Sequence, residues 1–405
     1  DYTRRQSINF IGVRKQLGQD QKPRVYNVEN LTLNYSYNLT EHRDFEIENA
    51  KDQNVRVGAT YNFAFTPLVI EPFRKNDSIF MNKNLKLLKD LNLSLLPANI
   101  SISANYNRQF FKQKFRDFEL GEGNIGIDEL YRRNYTFDLE YRINYNLTKA
   151  LQFNFAASNN RIVRNYFVDG NLLGSQDSTL DVWDGFFDIG DPNRYYQQLG
   201  LTYNLPLDKL PYLDFIRANY AYNGDFQWQK GSDLFGNFIA EDGVTYDLGN
   251  TISNTNSHNL NVNMDMKKFY RNIKPKKRRK PGTNRPNQSK SLLTRATTVL
   301  TSIERIQLNY TETNGTSLPG YLQSPGLWGT VQPTFGYTMG SQRDIRQLAA
   351  QNGWLTVFPE FNQQYTTNVT TNLDYVVNVS PLTDLRIDFT GGRTYANNST
   401  ENFNT

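Results

Sequence analysis

Residues 139–158 read LEYRINYNLTKALQFNFAAS. Leu139, Tyr141, Ile143, Tyr145 and Leu147 take every second place, with Glu140, Arg142, Asn144 and Asn146 between them. After Thr148, Lys149 and Ala150 the alternation restarts, Leu151, Phe153 and Phe155 against Gln152 and Asn154. Period two means strand, and so short a connection means hairpin. One face is aromatic and aliphatic; the other is mostly uncharged amide and hydroxyl. A chain that repeats this pattern must fold into a sheet with one greasy face and one wet face.

The pattern does repeat. It recurs at 31–39, 55–65, 100–107, 199–205, 216–228, 260–266, 306–310, 369–379 and 385–389, and more weakly at 8–13. That makes about twelve strands of roughly ten residues, the length that crosses a bilayer when tilted. Short connections fall at 148–149, 206–211 and 380–384, and long ones near 40–53, 117–131, 166–194, 231–256 and 314–362. Short turns at one end and long loops at the other are the plan of an outer-membrane barrel. Two linkers on the short-turn side are long, 67–97 and a basic stretch. Near Leu95 and Leu96 the apolar register slips, as at a β-bulge, and Pro97 removes a ladder donor.

Aromatics make up 14% of the chain although mean hydropathy is −0.66, which argues against disorder. No run approaches the 18 apolar residues of a membrane helix. Zero Cys excludes disulfides and thiolate metal sites. The net charge of +5 is uneven: 271–290 holds nine Lys or Arg and no acid, so the rest is near −4. This run has no interleaved aromatics, so it reads as a solvated periplasmic loop rather than a nucleic-acid site. The organisation is therefore strands over 1–270, a basic loop over 271–301, and strands over 302–405 with a folded loop at 331–354. In that loop SQRDIRQLAAQNG predicts a short helix, Ser341 as N-cap, Ile345, Leu348 and Ala349 on one side, Gly353 as stop and Trp354 as anchor. Turn parity keeps it out of the wall, inside or above a barrel, where Ile345, Leu348 and Trp354 are candidate gating residues. The inward wall being polar, its docking surface is expected to be another loop or a partner.

The fold class predicted is all-β: about twelve antiparallel strands of a transmembrane barrel. The chain opens on Asp1 and ends in polar GGRTYANNSTENFNT, so it is expected to be part of a larger barrel. Asn34, Asn62, Asn105, Asn144, Asn146, Asn154, Asn204, Asn261, Asn309 and Asn372 are expected to line a wide aqueous lumen. Catalytic readings fare poorly. GEGNIG at 121–126 lacks the Lys and helix of a phosphate cradle. Ser257, His258 and Asn259 are successive strand residues on alternate faces, so they cannot form a triad. No catalytic, metal or cofactor site is expected, and the Asn-x-Ser/Thr sequons follow from the wet-face pattern.

Four stretches, LNLSLLPANISISANYNRQF, DPNRYYQQLGLTYNLPLDKLPYLDFIRANYAYNGDFQWQKGS, NTISNTNSHNLNVNMDMKKFYRNI and GYTMGSQRDIRQLAAQNGWLT, resemble the SprA/Sov family of Bacteroidetes, the giant translocon barrel of the type IX secretion system. The resemblance implies a non-enzymatic protein-conducting channel in the bacterial outer membrane that exports folded cargo with C-terminal signals and serves gliding motility. It implies as partners the other segments of the same barrel, a smaller barrel at a lateral opening, a periplasmic plug protein, the cargo and membrane lipid, and no nucleic acid. The rival readings are an outer-membrane nutrient transporter and a surface adhesin or structural barrel.

Overall fold

A computed structural model describes residues 1–18, 22–73, 92–118, 127–168, 174–210, 212–273, 302–382 and 384–402. The basic run at 274–290 and the GEGNIG loop lie outside them. Twelve strands form one antiparallel meander, each paired with its sequence neighbours. They are β1 (Tyr2–Val13), β2 (Leu31–Arg43), β3 (Ile47–Ala64), β4 (Asn99–Phe115), β5 (Leu130–Asn146), β6 (Leu151–Val163), β7 (Asp191–Leu205), β8 (Ile216–Gln229), β9 (Asn250–Asp265), β10 (Ile303–Tyr321), β11 (Tyr365–Leu382) and β12 (Leu385–Glu401). Among the described residues β1 and β12 each keep one unpaired edge.

All twelve expected strands are present, but they run 12 to 19 residues rather than ten. The excess lies mainly at the long-loop end. One connection there is not long. β2 and β3 meet in a tight turn, where the Asp44 carboxylate accepts from the backbone N–H groups of Ile47 (2.6 Å) and Glu46 (2.9 Å). At the other end Thr148 Oγ1 caps the β5–β6 turn by accepting from Leu151 N (2.8 Å) and Ala150 N (3.1 Å).

The register slip near Leu95 is real in its count. Ser94 N donates to Leu147 O and Ala98 N to Asn144 O, so four residue steps on one side face three on the other. Regular pairing with β5 starts only at Asn99. Leu93–Ser94 instead pairs with Val69–Ile70.

Among the described residues three short α-helices interrupt the strands: α1 (Met266–Ile273), α2 (Phe335–Thr338) and α3 (Arg346–Gln351). The helix predicted from an N-cap at Ser341 begins at Arg346, four residues later than Gln342. At Ser341 the chain is still turning out of α2, with Ser341 N donating to Gly336 O. Thr334 is the residue that caps, its hydroxyl accepting from Tyr337 N (3.1 Å) at the start of α2.

Candidate functional site

Ladder partners share a face, so the register carries each side chain across the sheet. One rung runs Asn204, Asn219, Asn261, Asn309, Asp374 over β7 to β11. A rung two residues further along in each strand runs Asn146, Gln152, Thr202, Ala221, Asn259, Thr311, Asn372 over β5 to β11. The ten asparagines predicted to act together all fall on this one face. Neighbouring amides bond one another: Asn219 Nδ2 donates to Asn204 Oδ1 (2.5 Å) and Asn144 Nδ2 to Asn99 Oδ1 (2.6 Å). A single cavity of about 840 Å³ is lined by Asn204, Asn219, Asn261, Asn309 and Asp374 together. Asp208, Asp214 and Lys268, from beyond the strand ends, line the same cavity. Amides and hydroxyls predominate on this face, but charges are set among them: Asp374 ends the first rung, Asp138 pairs with Asn105, and Arg56, Glu140, Arg142 and Arg217 share the face. Such a face wets readily.

The opposite face carries an apolar band, and the band is oblique. On β4 it spans Ile100, Ile102, Ala104 and Tyr106, ending at Arg108; on β10 it spans Ile306, Leu308 and Tyr310, ending at Glu312. Tyr310 shares a rung with Leu151 of β6, through Leu260, Tyr220 and Tyr203. Tyr106 shares a rung with Arg161 of β6, through Phe137. The upper border therefore climbs ten residues in six strand steps. The lower border climbs eight, from Ile306, four below the first rung, to Ile100, on the rung of Phe155, four above it. That is about 1.3–1.7 residues per strand. With about 3.3 Å per residue and about 4.8 Å between strands, the strands lean roughly 45° from the band's normal. Arg393 on β12 agrees: it shares Leu373's rung, yet on β12 the apolar run has stopped below it at Phe389.

Above the band the same face is covered by two long loops. Residues 174–190 are held by buried arginines of the strands. Arg108, fully buried, donates to the carbonyls of Val182 (3.2 Å), Asp184 (2.7 Å) and Gly185, and lies against the Tyr135 and Phe186 rings. Arg133 donates to Asp177 O (2.7 Å), Leu180 O (2.9 Å) and Gln176 Oε1 (2.9 Å). Residues 322–364 are held by amides and phenols: Asn254 Nδ2 to Tyr337 O (2.9 Å) and Ser341 O (2.8 Å), Asn256 Nδ2 to Gly340 O (2.8 Å), Gln197 Nε2 to Thr338 O (2.5 Å) and the Tyr222 hydroxyl to Met339 O (2.6 Å). Gly224 permits the approach, since a Cβ there would stand 2.2 Å from Met339 O. These buried polar residues were missed in the sequence, because on their own strands they look like a continuation of the wet pattern.

The second loop contains α3. Ile345 and Ala349 are buried with Phe226, Trp228, Ile252, Leu318 and Tyr337; Leu348 stays partly exposed; Trp354 packs edge-on to Tyr321 at 6.5 Å. The expectation of docking onto another loop or a partner is corrected: the helix docks on the sheet itself, on the face opposite the asparagines. The reason is that this face turns aromatic again above its polar patch, at Phe226, Trp228 and Ile252. The loop also covers Tyr141, whose hydroxyl donates to Trp328 O (2.6 Å). Beyond the sheet, Arg346 bonds the Asp344 carboxylate (2.8 Å), holding it below the usual carboxylate range, and reaches Glu401 of β12 (2.7 Å).

Ser257 and Asn259 bond each other on the polar face while His258 turns to the other, its Nδ1 2.8 Å from the Tyr220 hydroxyl, so no triad forms. No group of three or more metal-ligating side chains occurs among the described residues. No known family model and no curated protein matches the chain.

Proposed function

We propose that this chain is a wall segment of a large outer-membrane β-barrel that conducts folded protein, as the resemblance to the SprA/Sov translocon implies, with the asparagine face toward a wide aqueous lumen. The observation that carries the membrane reading is the oblique apolar band. A lipid layer is flat, so strands tilted about 45° must shift their apolar residues by a fixed amount from one strand to the next to stay level with it. A soluble sheet packed on another element needs no such constant slope along both borders. The lumen reading rests on the polar face, in which amides and hydroxyls predominate. Small barrels pack their interiors with large side chains; this wall leaves room. In this reading β1 and β12 pair with further strands, the chemistry is passive and non-enzymatic, and a smaller barrel, a plug protein and cargo are the partners.

Imaging of the intact particle in detergent tests it. The expected result is a barrel with these twelve strands in its wall around a lumen several nanometres wide, conducting when unplugged. A narrow pore or one filled by a plug domain would favour a nutrient transporter. A barrel without conductance would favour an adhesin.

A further inference from the structure

The bare part of the apolar band is too short to match a membrane alone. On β4 it spans the six residue steps from Ile100 to Tyr106, about 20 Å along the strand and about 14 Å in height at the tilt found above. The lipid-facing band of a barrel is about 25 Å tall. Something must extend it at one border or both.

The two covering loops end where the bare band begins. On β2, β4 and β5 the last partly exposed ring is Tyr37, Tyr106 or Tyr141, at the edge of a loop, and the next position up on the same face, Leu39, Arg108 or Leu139, is buried. Each of these tyrosines meets an aromatic side chain from a loop. Trp183 stacks on Tyr37 at 5.9 Å, Phe187 meets Tyr106 at 6.4 Å, and Trp328 meets Tyr141 at 5.7 Å. The loop residues do not bury themselves in return: Trp183 is 43% exposed, Phe187 84% and Trp328 61%. Large rings so exposed, in loops otherwise held rigidly by buried arginine and asparagine, require an apolar or interfacial neighbour.

We propose that residues 174–190 and 322–364 are membrane-contacting elements, and that Trp183, Phe187 and Trp328 form the outer-leaflet aromatic girdle at the boundary between head groups and acyl chains. The occupant of this surface is the lipid of the outer leaflet. Three features point to it: the loops lie on the face of the apolar band, they continue its upper border without a gap, and the exposed groups are Trp and Phe, which favour that boundary. The strands themselves supply the girdle at few of these positions, because their upper thirds are sequestered under the loops. This inference rests on the membrane reading above and adds to it that the long loops fold outward and down rather than into the lumen.

The chain has no Cys, so each introduced cysteine is the one label site within it. Phe187→Cys, Trp328→Cys, Val377→Cys in the bare band, on the rung of Ile306, and Asn309→Cys on the amide face would each be labelled with an environment-sensitive fluorophore. The labelled protein is then read as the intact particle in phosphatidylcholine nanodiscs carrying a nitroxide either at the head group or deep in the acyl chain. The expected result is loss of most fluorescence at 187 and 328 with head-group nitroxide, at 377 with deep nitroxide, and at 309 with neither. Quenching at 377 but not at 187 or 328 overturns the girdle and leaves the barrel standing. No quenching at 377 overturns the barrel and the girdle with it. Should Trp328→Cys disturb its loop, Phe187→Cys, on the other loop and nearly free of contacts, decides alone.

Discussion

Arginine placed at Ile143 and at Asn154 asks the two faces of the sheet the same question at the same depth. Ile143 pairs with Phe155, and Asn154 is the next residue down on that strand, on the opposite face. On β5 the oblique borders interpolate to about 2.7 and about 8.3 residues above the rung of Leu151, and Ile143 stands four above it, which puts it within about 4 Å of the band's midline. Arg on a barrel's lipid face costs about 2–4 kcal/mol at the midplane and less toward the interfaces, so Ile143→Arg should cost about 2–3 kcal/mol. That is roughly a 30- to 150-fold loss in the folding equilibrium. Asn154→Arg adds a charge to a wet wall and breaks none of the side-chain bonds described here, so it should cost under about 0.5 kcal/mol. Asn144 is the poorer comparison, because its bond to Asn99 would be lost as well. Urea titration of both variants in lipid vesicles, followed by heat-modified gel mobility, gives the two values. Equal tolerance at the two sites, or a larger loss at Asn154, would refute the assignment of faces.

Gly224→Ala should push loop 322–364 off the sheet, since its Cβ would meet Met339 O; new protease cleavage in that loop with the strands intact is the expected result. Arg108→Met should strip the carbonyls of Val182, Asp184 and Gly185 of their donor at a cost of about 3 kcal/mol, seen as faster amide exchange confined to 174–190. The Asp344 carboxyl is held below its ordinary value of 3.8 by the Arg346 bond, so its contribution is complete at neutral pH and disappears only as pH falls through that lowered value; Trp354 fluorescence, which reports the loop, should hold to below pH 3.8, and a transition centred higher would count against the Asp344–Arg346 tether. Residues 1–405 expressed alone should aggregate through the free edges of β1 and β12, and a monodisperse protease-resistant product would sink the larger-barrel reading.

What was legible in the sequence was set by water and apolar surroundings acting on alternate residues. Where one face meets an apolar phase and the other water, period two is forced, and the twelve strand cores and ten asparagines follow from parity alone. The strand ends were illegible because both faces there carry polar groups. On β9 the apolar-face positions above Leu260 are His258, Asn256 and Asn254, and alternation vanishes although the ladder continues to Asn250. The same blindness turned 40–53 into a loop, since Glu41, His42, Lys51 and Asp52 hide a hairpin closed by Asp44. α1 was missed although Asp265, whose carboxylate accepts from Lys268 N (3.1 Å), is a readable N-cap in DMKK. α3 was misplaced because a cap signal at Ser341 cannot reveal that the chain there still belongs to the turn that follows α2.

Which side a loop falls on decides what it can do. A segment that gates must lie across the amide face, where a passing molecule would meet it. The 322–364 loop lies on the other side, fixed by Gln197, Tyr222, Asn254 and Asn256, each donating to a loop carbonyl. Each of those bonds leaves the loop backbone satisfied without water, which is what a segment resting against lipid requires and a mobile gate does not. The buried arginines serve the other loop in the same way: a guanidinium supplies several donors to carbonyls that have no strand partner, and its charge is met by ring faces and peptide dipoles rather than by a carboxylate. Polar residues on the apolar face are thus explained by what covers them.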